Sequence, residues 1–346
     1  MPSPPALAPS TVPDPMAAPR VRWGVLGPGG IANTFAEAVR AGTRSEVVAV
    51  GSRSAERADA FARRHGVTRS YGSYEELVAD EDVDVVYVAS PHSEHREHAL
   101  LAVAAGRHVL VEKAFARSLR ETDEVLDAAR AAGVLAAEAM WSRYLPQYDV
   151  VRRTVAEGTL GDVALVQADH GQLLWPDGPR RLWDPALAGG SLLDLGVYPI
   201  HFAHHVLGGL EDVAALGVLT PEGVDATLGV TARRGGALAR MTSTMAAATP
   251  CAALVAGSAA RVELTGPGWF YGAATTVRLV EPGGSVVDTF APEHPEHGFR
   301  YQVAEVARAV AEGRHEPWSV PWTATRAVMT VMDEVRRQVG VTYPGE

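Results

Sequence analysis

Between a short apolar run (residues 21–26) and a helix-forming run (residues 33–39), the chain reads Gly27-Pro28-Gly29-Gly30-Ile31-Ala32. The order strand, Gly-x-Gly-x-x-Ala, helix is the phosphate-binding turn of a βαβ dinucleotide unit. The first glycine permits the tight turn. The second lets the backbone approach a pyrophosphate, and Ala32 keeps the helix close to the strand. The helix N-terminus adds unpaired N–H groups and the positive end of its dipole. Gly27, Gly29, Gly30, Ile31 and Ala32 are therefore expected to bind a dinucleotide.

The pattern that follows extends this unit into a doubly wound domain. Strands are expected over residues 46–51, 84–89, 108–111 and 134–139, with helices over residues 31–41, 55–65, 94–105 and 119–132. The run Val85-Val86-Tyr87-Val88 is almost continuously apolar, as a parallel strand covered on both faces requires. Beyond residue 161 the text changes to alternating segments near residues 163–167, 226–231, 237–243, 260–264, 276–280 and 286–290. Helices are expected near residues 190–206, 300–312 and 323–339. The expected fold is α/β: an N-terminal Rossmann dinucleotide-binding domain over residues 21–140, then a C-terminal α+β domain over residues 141–346. The second domain carries a large, mostly antiparallel open sheet. Residues 1–20, proline-rich and without amphipathic period, read as a disordered tail.

Composition narrows the class. With 47% hydrophobic and 21% charged residues in 346, the chain can bury two cores. A formal charge of −10 without a basic stripe argues against nucleic acid or an anionic membrane as partner. No apolar run reaches the roughly 18 residues of a membrane span. One cysteine, Cys251, forms no intrachain disulfide and suits a cytoplasmic, reducing setting.

The second strand bears on cofactor choice. It ends Gly51-Ser52-Arg53-Ser54, with Arg57 beyond and no carboxylate in the turn. An acid there would bond the ribose 2′-hydroxyl of NAD, whereas Arg53 can pair with a 2′-phosphate. NADP is the expected cofactor, with NAD possible because Arg53 can also stack on the adenine. Ser90, Pro91, His92 and His95 follow the third strand, and Glu112 and Lys113 end the fourth. Both lie at carboxyl ends of parallel strands, where open sheets bind ligands. His201, His204 and His205 recur at helical spacing, and His92, His95 and His98 three residues apart. Zinc could use either set, but pocket-lining and surface roles account for both, His98 as an exposed helix residue, and no metal is expected.

Six segments in order resemble the glucose–fructose oxidoreductase/inositol dehydrogenase/MocA family, nearest its dimeric dihydrodiol dehydrogenase and NADP-dependent xylose dehydrogenase branch. They are the glycine turn, Ser52-Arg53, Pro91 to His95, Glu112-Lys113, Glu138-Ala139-Met140-Trp141-Ser142-Arg143-Tyr144 and Asp194 to Tyr198. The resemblance runs from Val21 to the C-terminus. It implies hydride transfer between a nicotinamide and a carbinol or carbonyl carbon of a small polyhydroxylated substrate (a sugar, polyol or cyclic dihydrodiol). It further implies that Lys113 touches the nicotinamide ribose and the carbinol, Asp194 binds a substrate hydroxyl and Tyr198 is the acid/base. Glu112 and Arg143 would contact the cofactor. Free Tyr titrates near pH 10, and an ammonium about 4 Å away lowers that by up to about three units at an effective dielectric near 20. The family's Glu-Lys-Pro reads Glu112-Lys113-Ala114 here. Without proline a cis bond costs roughly 2.5–4 kcal/mol, so a trans bond is expected. The open sheet, with one face to cover, implies a homodimer or higher homo-oligomer. The rival readings are an NAD-dependent glycosidase of the same fold and a non-catalytic nucleotide-binding regulator.

Overall fold

The computed structural model describes residues 5–267 and 269–346. The chain forms two compact units. One comprises residues 13–141 and 297–326, and the other the residues up to 12, 142–296 and 327–346.

The first, the nucleotide unit, is wound on a parallel sheet. Its strands are β1 (Arg22–Leu26), β2 (Glu46–Gly51), β3 (Arg69–Tyr71), β4 (Val85–Val88), β5 (His108–Glu112) and β6 (Ala136–Ala139). The helices are α1 (Gly30–Gly42), α2 (Ala55–His65), α3 (Tyr74–Ala79), α4 (His95–Ala104) and α5 (Leu119–Ala132). Strand order β3-β2-β1-β4-β5-β6 puts the topological switch between β1 and β4, where the chain direction of winding reverses. Alternate side chains feed two cores. Trp23, Val25, Tyr87 and Leu110 pack with Phe35 and Phe61 on one face. Leu26, Val86, Val88, Val109 and Val111 pack with Leu77, Val125 and Leu126 on the other. Full burial of β4 on both faces explains its unbroken apolar text.

Two expectations about the ends of this unit are corrected. Residues 297–326 join it, although residues 141–346 read as one domain. Phe299, Val303, Val306 and Ala307, mostly from the helix Arg300–Ala311, complete the first core. Trp322 closes the second, its indole N–H donating to the Ala136 carbonyl at 2.8 Å. The β-sheet has apolar surface that its own crossover helices leave uncovered, and a distant helix covers it. The N-terminal stretch, within the described residues 5–20, is ordered rather than disordered. Ala18 is buried in the first core, and Arg44 Nη2 donates to its carbonyl at 2.8 Å. Pro15–Ala17 forms a single 3-10 turn capped by Asp14, which accepts the Met16 N–H at 2.9 Å. Proline lowers the entropy lost on ordering an extended chain, so a few acceptors suffice to hold it.

The other, the sheet unit, contains α6 (Pro146–Ala156), α7 (Val197–Leu207) and the strands β7 (Val163–Gly171), β8 (Glu211–Leu219), β9 (Asp225–Arg234), β10 (Ala237–Thr244), β11 (Ala253–Gly257), β12 (Arg261–Thr265), β13 (Thr276–Val280) and β14 (Val286–Phe290). Their order is β14-β13-β12-β11-β7-β10-β9-β8, antiparallel throughout except for the parallel pair β7/β10. In β10, Ala237, Ala239, Met241 and Ser243 point inward and Leu238, Arg240 and Thr242 outward, the period of two that burying one face imposes. Helix α7 lies along β7 and β10. The other stretch of the N-terminal segment attaches here: the Ala8 N–H donates to Thr154 Oγ1 at 3.0 Å and the Thr11 N–H to Asp149 at 2.7 Å.

Candidate active site

Gly27 sits at φ +91°, with its N–H donating to the Gly51 carbonyl at 3.1 Å. A Cβ there would also press on the Ala89 carbonyl oxygen at 3.2 Å, so only glycine permits β1 to turn this close to β4. At Gly30 a Cβ would meet nothing within 4 Å, and at Gly29 only the Ala89 carbonyl at 4.0 Å. No side chain caps α1, so its first-turn amides have no side-chain acceptor from the N-cap. The turn therefore fits a pyrophosphate on a helix N-terminus. Ala32 is fully buried beneath it, and Ile31 is exposed.

At the end of β2, Ser52 is buried and Arg53 and Arg57 are exposed. The Ser54 hydroxyl caps α2, accepting the Arg57 N–H at 3.3 Å and donating to Glu56 at 2.7 Å. Among the described residues Arg53 has no ion-pair partner, and its charge is felt at His98.

The loop after β4 is held from within. His92 Nε2 donates to the Lys113 carbonyl at 3.2 Å. His95 is fully buried between the Ala114 carbonyl (Nδ1, 2.8 Å) and the Ser90 carbonyl (Nε2, 2.9 Å). His98, expected on the surface, is buried: Nδ1 lies 2.9 Å from Ser90 Oγ and the ring packs edge-on to Tyr74 at 4.6 Å. Its face of α4 points at the loop, which helical spacing alone does not reveal. The Lys113–Ala114 peptide is cis, contrary to the trans bond expected of alanine; the carbonyls on both sides of it are the ones that His92 and His95 hold. Glu112 is buried, accepting the Tyr87 hydroxyl on one oxygen and the Lys113 N–H at 3.2 Å on the other. It thus orients the strand end that carries Lys113.

In the sheet unit a five-residue π-helical turn, Leu192–Gly196, runs directly into α7. It presents Asp194, whose carboxylate pairs with Arg181 at 3.1 Å, and Tyr198 follows in the first turn of α7. The Tyr198 ring meets His170 edge-on (5.2 Å between centroids) and Tyr271 at 4.2 Å. His170 Nδ1 lies 3.1 Å from the Leu195 carbonyl, which can only accept, so Nδ1 carries the proton and Nε2 accepts the Tyr271 hydroxyl at 2.8 Å. Burial and the neighbouring Tyr198 push the Tyr271 pKa up. Trp269, 43% exposed, extends this wall beyond Tyr271 (5.5 Å). The sequence reading missed His170, Tyr271 and Trp269. The inward position of His170 on β7 and the cluster Trp269-Phe270-Tyr271 were the available signals.

Arg143 is buried in the same unit. After burial, its guanidinium is the next cause holding His204 (to about 3) and His205 well below the usual histidine range. His205 Nε2 reaches the Tyr148 carbonyl at 3.1 Å. No group of three or more His, Cys, Asp or Glu among the described residues is disposed to hold a metal.

Two carbonyls favour the His95 imidazolium and complete burial disfavours it. Burial wins, holding its pKa down at about 4. The folded state therefore excludes a proton that the unfolded chain binds below about pH 6.5. The stability is fully present above that pH and is lost as pH falls toward 4. Urea midpoints across this window should drop by the equivalent of up to about 3 kcal/mol. His95→Gln should flatten the slope; an unchanged slope in that variant would place the acid lability elsewhere.

Comparison with known proteins gives the family. The model of the Gfo/Idh/MocA oxidoreductase family, NAD-binding Rossmann fold, matches residues 21–139, and that of the Gfo/Idh/MocA C-terminal domain matches residues 148–265. A trans-1,2-dihydrobenzene-1,2-diol dehydrogenase of Danio rerio is 37% identical over 330 residues, 93% of this chain and 98% of the relative. The Homo sapiens protein of that name is 32% identical over 336 residues, 94% and 98% of the two chains. A 3-ketoreductase from Actinomadura kijaniata, solved with NADP and TDP-benzene, superposes with a TM-score of 0.80 at 27% identity, covering 93% of this chain and 98% of that one. An aldose-aldose oxidoreductase from Caulobacter crescentus shares the fold with a TM-score of 0.84 at 24% identity, over 93% and 98%. With both domains matched and relatives above 30% identity along nearly its whole length, the chain belongs to the Gfo/Idh/MocA family of NAD(P)-dependent oxidoreductases.

Proposed function

We propose that this enzyme is an NADP-preferring dehydrogenase acting on a CH–OH group of a cyclic diol, sugar or polyol, with Tyr198 as acid/base and Lys113 assisting. The observation that carries the reading is the wall around Tyr198. There the Tyr271 hydroxyl meets His170 Nε2, which Gln172 Nε2 also reaches at 2.8 Å, and the Tyr198 ring stands beside this group, which supports a proton-transfer role for Tyr198. The exposed indole of Trp269, backed by the buried Tyr271 ring, suits a ring-shaped substrate. The relatives' substrate, a dihydrobenzenediol, has that shape.

The dinucleotide, when bound, supplies a nicotinamide that accepts or returns a hydride. Gly27, Gly29, Gly30, Ile31 and Ala32 would hold its pyrophosphate, Ser52, Arg53 and Arg57 its adenosine end, and Ser90, Pro91, His92 and His95 the loop beside it. In oxidation the Tyr198 phenolate takes the carbinol O–H proton as hydride leaves the carbon. The Lys113 ammonium would assist by stabilising the negative oxygen of the substrate. The Asp194 carboxylate accepts a bond from a second substrate hydroxyl, oriented by its pairing with Arg181.

Arg53, without an ion-pair partner among the described residues, and the absence of a carboxylate between residues 51 and 54 support a 2′-phosphate. Titration should show tighter binding of NADP than of NAD, with Arg53→Asp reversing the order; equal affinity in the unmutated enzyme would refute the preference.

Tyr198→Phe should lower turnover roughly 10²–10⁴-fold with NADP affinity nearly intact. Lys113→Ala should harm both. Steady-state kinetics on a panel of diols, aldoses and polyols, with cofactor titrations, separates the two effects. Near-normal turnover by Tyr198→Phe would move the acid/base role elsewhere.

Assembly follows from the outward sheet face. Leu216 (83% exposed), Val218 (64%) and Leu238 (42%) lie on it with Leu165 and Leu254. We read the enzyme as a cytoplasmic homodimer or higher oligomer joined through this face. Light scattering should give a multiple of 36.6 kDa, and Leu238→Glu should lower it. A concentration-independent monomer would reject the interface.

A further inference from the structure

Asp225 opens β9 and is completely buried, yet none of the roles assigned above uses it. One carboxylate oxygen accepts two bonds: from the Leu192 N–H at 2.6 Å and from the Ser191 hydroxyl at 2.8 Å. Ser191 Oγ also lies 3.1 Å from Ser243 Oγ on β10. The other oxygen lies over Gly190, where a Cβ would come within 2.2 Å of it. Gly190 itself is at φ +120°, a conformation open to glycine and little else. A carboxylate therefore fills the place of a side chain at residue 190 and holds the first two residues after it. At the far end of the π-helical turn, a Cβ on Gly196 would lie 3.0 Å from the Ser243 hydroxyl, so the exit packs on the same serine.

We propose that Asp225 is the positioning residue of the catalytic segment: by binding Ser191 and Leu192 it sets where the π-helical turn begins, and so where Asp194 and Tyr198 point. A turn with i→i+5 bonds is rare and occurs mostly as a single turn. It needs an external anchor at its start, and a bond from a backbone amide to an ionised carboxylate is a short, strong one. Leu192 is two residues before Asp194 and six before Tyr198, so a slip at the anchor would carry both functional groups with it. Burial raises the Asp225 pKa to about 6, opposed by hydrogen bonds from Ser191 and Leu192.

This inference rests on the roles read above for Asp194 and Tyr198, and the test separates the two. Asp225→Asn keeps the shape but replaces one acceptor oxygen with a donor, and Ser191→Ala removes a single partner. Hydrogen exchange followed by mass spectrometry should show faster exchange in the peptide spanning residues 189–198 in Asp225→Asn, with the nucleotide unit unchanged. Turnover should fall about tenfold or more, the worth of a charge-assisted bond, while the NADP dissociation constant holds. Ser191→Ala should move both readouts less, in the same direction. In a Tyr198→Phe background the further loss from Asp225→Asn should shrink to less than about twofold, because a positioner acts through the group it positions. Equal losses in both backgrounds, or unchanged turnover despite faster exchange, would reduce Asp225 to a structural residue and overturn the proposal. Should Tyr198→Phe alone retain turnover, the Tyr198 reading fails. Exchange and turnover of Asp225→Asn in the unmutated background then decide: both altered keeps Asp225 as positioner through Asp194, and either unaltered overturns it.

Discussion

The buried hydroxyl of Tyr87 is the contact on which the nucleotide unit is organised. The ring stacks on Phe35 at 3.8 Å, and Phe35 meets Trp23 edge-on at 5.1 Å, so the phenol is locked into the core beneath β1 and β4. A phenol buried there must find an acceptor. It finds Glu112 at the end of β5. That carboxylate, itself deprived of water, draws in the amide of Lys113. A packing requirement in the middle of the sheet is thus transmitted to the end of a strand, where the ammonium-bearing residue begins. His92 and His95 hold the next two carbonyls from the adjacent loop, so the strand end is fixed from both sides.

The sheet unit meets the corresponding problem in a different way. Its functional segment is a π-helical turn, a conformation with little intrinsic stability. Side chains from β7, β9 and β10 surround it. His170 binds the Leu195 carbonyl, Asp225 the Leu192 amide, and Ser243 the Ser191 hydroxyl. The same His170 accepts the Tyr271 hydroxyl, so one imidazole both fixes the turn and orients the aromatic wall. Inward polar residues on a sheet face that otherwise buries Ala239, Met241 and Val166 are costly unless every one is bonded. Here the partners include both backbone and side-chain groups of the segment that carries the chemistry.

Much of the architecture could be read directly. The glycine turn, the apolar β4 and the alternation of β10 each carry a periodicity that a single element produces by itself. β3 (Arg69–Tyr71) and α3 (Tyr74–Ala79) escaped notice because three half-buried polar residues and one and a half helical turns leave almost no periodic signal. α6 and β8 escaped as well. β8 is an edge strand exposed along nearly its whole length, so no alternation marks it. The N-terminal stretch misled through composition. Proline and alanine form no core, but ordering required only fixed acceptors such as Thr154 and Asp149 elsewhere in the fold.

The sequence by itself determined the dinucleotide turn, the parallel and antiparallel halves, and the presence of Lys113, Asp194, Tyr198 and Arg53, because each depends on residue type and local spacing. Only the tertiary structure decided that residues 297–326 complete the nucleotide unit, that His98 turns inward, and that Lys113–Ala114 is cis. It alone gathered His170, Tyr271 and Asp225, from three separate strands and loops, around the Tyr198 segment. Those placements are set by which buried donor must find which acceptor across long stretches of chain, and no local pattern of residues encodes that pairing.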